Sequence, residues 1–246
     1  MPRQRSPNVQ GPYGFEMSEN CQSCNLRKHH FFCNLDGAAL SDFNAIKSLS
    51  AYPRDAVLFR EQEYARGIFV LCAGEIKLSM VSREGKTLIL RIAKAGEVLG
   101  LSAVIGGMPY EVTAETLRPS QVAYVGRDDF LKFIKLHPEA CHNVSKHVVS
   151  SYNGLCEQFR TVVLASTSEK LAKVLLEWSD GSEQAKPFSR IMIPLTHEEI
   201  GELIGATRET VTRTLGDFKS RHLIGMNGAA VTIKDRKALE EIAEAC

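Results

Sequence analysis

The sequence has no apolar run approaching the roughly 20 residues that a membrane span requires. Its polar N-terminus also lacks the apolar core of a secretory signal. A cytoplasmic protein with no membrane partner is therefore expected. Neither charge is in excess: 30 basic residues against 29 acidic ones leave a net charge of +1. That excludes a protein that coats nucleic acid by bulk charge, so any such affinity must come from a local cluster. No nucleophile elbow, P-loop or metallohydrolase motif occurs, and Gly106-Gly107 lacks the Lys and helix cap that a phosphate-cradling loop needs. No enzyme is expected. Internal repeats and low-complexity tracts are missing too.

What is present is a chain of 246 residues, 44% hydrophobic and 24% charged. That is enough for a packed core in one large or two medium domains. It contains seven cysteines. In a reducing compartment these are not expected to form a disulfide framework, which leaves metal binding, redox sensing or plain burial.

Residues 1–20 hold Pro2, Pro7, Gly11, Pro12 and Gly14 among polar residues and read as a disordered tail. Residues 21–137 read as a cysteine-containing segment followed by a strand-rich domain. Leu40, Phe43, Ile46 and Leu49 are spaced for a short amphipathic helix over 36–49. From about Ala51 to Arg127, apolar runs of four to six residues alternate with glycine turns, and Ile76-Lys77-Leu78-Ser79-Met80-Val81 has period two. Many short strands at regular spacing predict an antiparallel barrel or roll. Residues 138–165 then read as one long helix. Cys141, Ser145, Val148, Tyr152, Leu155, Phe159 and Val162 fall at steps of four and three, the seam of a two-helix contact. Val148, Tyr152, Leu155, Phe159 and Val162 are the expected homodimer contacts.

Residues 166–246 carry the most specific pattern. Ser166 with Glu169 can form a capping box, and so can Thr196 with Glu199. Ile200, Leu203 and Ile204 form one apolar face, Gly205 suits a left-handed turn, and Thr207 can cap a second helix. Val211, Leu215 and Phe218 continue the apolar face, while Arg208, Glu209, Thr212 and Arg213 occupy the opposite one. A helix-turn-helix protein places such an N-terminal face in the DNA major groove. Arg can grip guanine with two bonds, and Glu can accept from cytosine N4. Thr196, Thr207 and Thr210 suit phosphate contacts. A wing follows, since Asn227-Gly228 separates two apolar runs.

This order resembles the Crp/Fnr family of bacterial transcription regulators over about Cys21 to Ala243. The closest motifs are Gly96-Glu97-Val98-Leu99-Gly100 and Arg208-Glu209-Thr210-Val211-Thr212-Arg213. The resemblance implies an α+β fold. It comprises a double-stranded antiparallel β-roll of the cyclic-nucleotide-binding jelly-roll kind, a dimerisation helix and a C-terminal winged helix-turn-helix. It implies a homodimer on double-stranded DNA with a two-fold symmetric site, in contact with RNA polymerase. Glu209 and Arg213 would read the inner G·C pairs of each half-site. Arg208 is similar to the cyclic-AMP-receptor branch. Thr212 is closer to the oxygen-sensing Fnr branch, which has serine there.

No cyclic nucleotide is expected. With Gly100 aligned to the family's glycine, Leu101 stands where the ribose-binding glutamate would be, and Glu111-Val112 stands where the Arg-Ser pair would hold the phosphate. A carboxylate there repels a phosphate. Cys21, Cys24 and Cys33 instead resemble the Fnr segment that supplies three thiolates to a 4Fe–4S cluster, which would make the regulator responsive to oxygen or nitric oxide. The family's fourth cysteine is replaced by Ala123, and Cys72 is the expected substitute. Three alternatives stay open. Cys21, Cys24, His29 and Cys33 could hold a structural zinc. The same cysteines could form a metal-free thiol-disulfide switch. From another class, Cys21-x-x-Cys24 could belong to an oxidoreductase, although no thioredoxin-like unit surrounds it.

Overall fold

The computed structural model describes residues 9–10, 12–14, 16–17, 21, 24, 34–35, 37–180, 190–228 and 230–244. They fall into two compact units, residues 1–80 with 90–152 and residues 81–89 with 153–246. No helix among the described residues is long and apolar enough to cross a membrane.

The first unit opens with β1 (Val9–Gln10) and β2 (Glu16–Met17), paired antiparallel with Val9 opposite Met17. These are the described parts of the segment expected as a tail. Pro12–Gly14 turns the chain between them, with Tyr13 in the left-handed region at φ 70°, and turn chemistry of this kind brings its two flanks together. Helix α1 (Gly37–Ile46) buries Ala39, Leu40 and Phe43. It stops three residues short of the expected end. Leu49 lies instead in strand β3 (Lys47–Tyr52), opposite Ala123. The helical spacing of Ile46 and Leu49 is overridden by a partner strand from elsewhere in the chain.

The roll follows as β4 (Val57–Phe59), β5 (Gly67–Ala73), β6 (Glu75–Val81), β7 (Thr87–Lys94), β8 (Val98–Leu99), the short helix α2 (Leu101–Gly106), β9 (Thr113–Thr116) and β10 (Ser120–Gly126). Two four-stranded sheets result, in the orders β3-β10-β5-β8 and β4-β9-β6-β7. One continuous core lines them, with Ile68, Leu71, Ile76, Ala114 and Val125 fully buried. Strand β5 is buried at five successive positions and β6 nearly alternates. Their sequence patterns differ accordingly, one a continuous apolar run and the other of period two. Tyr110 locks the roll, its hydroxyl donating to Gly67 O at 2.6 Å while its ring stacks on Phe59. Helix α3 (Arg127–Leu136) packs Phe130 and Phe133 into the same core.

Helix α4 (Pro138–Leu164) is 27 residues long, and its buried residues are Ala140 and Val144, near its start. Further along, Val148, Val149, Tyr152, Leu155, Phe159, Val162, Val163 and Leu164 all stand exposed. An apolar row of this length in water is unusual for a lone subunit.

The second unit contains α5 (Thr167–Asp180), β11 (Arg190–Met192), α6 (His197–Ile204), α7 (Arg208–Ser220), β12 (Ile224–Asn227), β13 (Ala230–Ile233) and α8 (Arg236–Ala243). Ser166 and Glu169 close a reciprocal cap on α5, at 2.8 and 3.3 Å. The strands form one antiparallel sheet in the order β11-β13-β12. Asn227 pairs with Ala230, so the hairpin lies where the Asn-Gly dipeptide indicated. Helix α8 was not foreseen. Asp235 caps it by accepting from Ala238 N–H at 3.0 Å, and Arg236 ties it to Asp180 of α5 at 2.9 Å.

Candidate nucleic-acid interface

Helices α6 and α7 are short, and their ends are specified by side chains. Thr196 accepts from the Glu199 N–H at 3.2 Å, and the Glu199 carboxylate accepts in return from the Thr196 N–H at 2.9 Å. The Thr196 hydroxyl proton is also given to Glu199, at 3.1 Å. Thr196 therefore has no hydroxyl proton left over while this cap is closed. Gly205 ends α6 at φ 69°, a left-handed conformation that favours glycine. Gly201 is needed for a different reason. A Cβ there would lie 2.5 Å from the carbonyl oxygen of Ala206, in the turn itself. The turn can fold back on α6 only because no side chain is in the way.

Thr207 starts α7 by accepting from the Thr210 N–H at 3.2 Å. The two hydroxyls are 3.0 Å apart. One of their two protons joins them, which leaves the other free for an outside acceptor such as a phosphate oxygen. Val211, Thr214, Leu215 and Phe218 are the buried face of α7. Burying each large apolar side chain contributes about 1.5–3 kcal/mol, which holds α7 against the rest of its unit. Arg208, Glu209, Thr212 and Arg213 are exposed on the other side. Among the described residues, none of the ion pairs uses Arg208, Glu209 or Arg213. A groove-reading surface needs such uncommitted donors and acceptors.

One contact on this surface has no local sequence signal. His197, the first residue of α6, places Nδ1 3.0 Å from the Thr212 hydroxyl. Thr212 in turn donates to the Arg208 carbonyl oxygen at 2.9 Å.

The cysteine expectations fare differently. Cys33 and His29 lie outside the described residues. The Lys47 ammonium donates to Cys21 Sγ at 3.0 Å, and the Cys21 N–H reaches Asn44 Oδ1 at 3.4 Å. Cys24 N–H turns back to Cys21 O at 3.4 Å. Cys72 is half-buried against the roll core, with its thiol 3.7 Å from Val70 O. Among the described residues, no group of three His, Cys, Asp or Glu could hold a metal ion. Cys33 lies outside them, so the expected set of Cys21, Cys24, Cys33 and Cys72 is described only in part. The side chain beside Cys21 is that of Lys47.

Comparison with known proteins agrees with the order of these parts. Residues 49–137 match the cyclic nucleotide-binding domain family, and residues 169–242 match the Crp-like helix-turn-helix domain family. A relative in Mycobacterium tuberculosis, described as a CRP-like cAMP-activated global transcriptional regulator, is 25% identical over 190 residues, covering 76% of this chain and 84% of that one. The transcriptional activatory protein AadR of Rhodopseudomonas palustris is 24% identical over 223 residues, covering 90% of this chain and 92% of its own. In fold, the chain is similar to FixK2 from Bradyrhizobium japonicum, with a TM-score of 0.73 at 20% identity, covering 82% of this chain and 99% of that one. Members of this group bind DNA and act as dimers. A roll of the cyclic-nucleotide-binding kind followed by a Crp-like helix-turn-helix places this chain in the Crp/Fnr family, as a DNA-binding transcription regulator.

Proposed function

We propose that the chain works as a homodimer that reads a two-fold symmetric site through Arg208, Glu209, Thr212 and Arg213 of α7, and that its input is redox. The first part is carried by the exposed polar face of α7, on which Arg208, Glu209 and Arg213 enter no described ion pair, backed by a buried apolar face. The exposed row on α4 from Val148 to Leu164 supports the dimer. The free proton of the Thr207–Thr210 pair supports a phosphate contact at the start of α7. Contact with RNA polymerase is proposed on family membership alone.

The redox input is assigned to the cysteines that begin at Cys21. A cation beside a thiol is the setting in which cysteines react, and the Lys47–Cys21 contact at 3.0 Å supplies it. That contact supports a thiol switch, with the expected 4Fe–4S cluster on Cys21, Cys24, Cys33 and Cys72 as the rival reading. In the switch, a peroxide takes two electrons from the Cys21 and Cys24 thiols, their sulfurs join, and the peroxide is reduced to water. Protein purified without oxygen should contain neither iron with sulfide nor zinc in stoichiometric amount. Mild peroxide should protect two cysteines from alkylation and change DNA affinity. A brown, iron- and sulfide-loaded protein would restore the cluster, and one zinc per chain would restore the knuckle-like site.

The roll is proposed to take no cyclic nucleotide. Leu101 is buried at the start of α2, and Glu111 is an exposed carboxylate, so neither supplies what the ribose or the cyclic phosphate requires. The Mycobacterium tuberculosis relative is described as cAMP-activated, which makes calorimetric titration with cyclic AMP and cyclic GMP the direct test. Micromolar binding would overturn the proposal.

A further inference from the structure

We propose that His197 is a positioning residue of the reading helix, and that it makes Thr212 a reader of thymine methyl groups. The inference rests on α7 being the helix that enters the groove. Thr212 Oγ1 lies 2.9 Å from the Arg208 carbonyl oxygen. Two oxygens that close attract each other only with a proton between them, and a hydroxyl has one proton to give. That proton is spent inside α7. His197 Nδ1 stands 3.0 Å from the same hydroxyl. The nitrogen must therefore bring its own hydrogen, so His197 donates from Nδ1 to Thr212. The imidazolium also carries a hydrogen on Nδ1, so the bond survives protonation of the ring.

Thr212 is thus pinned from two sides, by its own helix and by the first residue of α6. Yet Thr212 is exposed. With its oxygen turned to Arg208 and His197, the group it offers outward is its γ-methyl. The base-edge partner of a methyl group is the C5-methyl of thymine. Thr212 then discriminates by apolar contact and needs no hydrogen bond to a base. His197 supplies the discrimination without touching the base.

The test uses the full-length protein. Preferred duplexes are first selected from a random library. Each half-site thymine is then replaced in turn by deoxyuridine, which keeps every hydrogen-bonding group and removes only the methyl. Wild type should lose about fourfold in affinity at one thymine per half-site, the worth of one buried methyl. Thr212→Ser keeps the hydroxyl and should show none. His197→Ala should shrink the loss, and His197→Asn, whose amide can present an N–H in place of Nδ1, should bring it back. A merely structural role for His197 would lower affinity for every duplex equally and leave the thymine-to-uracil ratio untouched. Indifference of wild type to every uracil, or a full uracil effect in Thr212→Ser, would overturn the methyl reading. An unchanged ratio in His197→Ala would overturn the positioning role. If the library yields no preferred sequence, the assignment of α7 itself fails and takes this inference with it. A clear preference without any uracil effect removes this inference alone.

Discussion

Replacing Gly201 with alanine would put a methyl group 2.5 Å from the carbonyl oxygen of Ala206 and 3.4 Å from the carbonyl carbons of Ala206 and Thr207. These are backbone atoms of the turn between α6 and α7, so only movement of the turn relieves the contact. Ordinary van der Waals contact begins near 3.4 Å, so the oxygen must retreat by about 0.9 Å. Two effects oppose each other. Alanine is the better helix former by about 1 kcal/mol. Overpacking against backbone costs about 1–3 kcal/mol. The steric cost wins, and Gly201→Ala should be less stable than wild type by roughly 0–2 kcal/mol. Gly216→Ala is the control. It makes the same exchange inside α7, where a Cβ meets nothing within 4 Å. That variant should gain about 0.5–1 kcal/mol from helix propensity. Urea unfolding of the two variants measures the difference without any assumption about DNA. Anisotropy at a temperature where both are folded should then show weaker DNA binding for Gly201→Ala, because moving the turn re-aims α7. Equal stability of the two variants would refute the steric explanation for this glycine.

Phe159→Glu should convert the dimer to monomer in sedimentation and abolish tight DNA binding, since Phe159 is 71% exposed beside Leu155 at 54%; an unchanged dimer would place the subunit contact elsewhere. Arg213→Ala should cost about 1–3 kcal/mol on the preferred site and relax base choice at one position. An unaltered half-site preference would remove Arg213 from the readout. His147 of α4 is held below its usual value of 6.5 by burial first and then by the Arg91 charge, with Glu97 and the Val98 backbone opposing. The folded state therefore favours the neutral ring, and the unfolded chain takes up the proton first as pH falls. Stability due to His147 is fully present above pH 6.5 and declines below it. His147→Gln should flatten the fall in Tm between about pH 7 and pH 5; an equal fall in both proteins would show that other groups set it.

Much of this protein is legible one segment at a time. Capping boxes at Ser166/Glu169 and Thr196/Glu199, the apolar faces of α6 and α7, the period-two run of β6 and the hairpin at Asn227 all depend on neighbours within a few residues. Such features are local because a cap or a turn is satisfied by atoms close along the chain. The two-layer roll and the exposed seam of α4 follow from these patterns once their order is known. Tertiary structure alone decided what depends on distant partners. Leu49 joined a strand because β10 lies beside it, against the helical spacing of its own segment. Gly201 must be glycine because a turn returns over it. The partner of Cys21 proved to be Lys47, since the sulfur's surroundings are chosen by how α1 and β3 pack. His197 and Thr212 are fifteen positions apart, and no period or motif joins them. Their hydrogen bond exists only because two helices cross at that point, and a bond of this kind is written in the packing, not in any stretch of sequence.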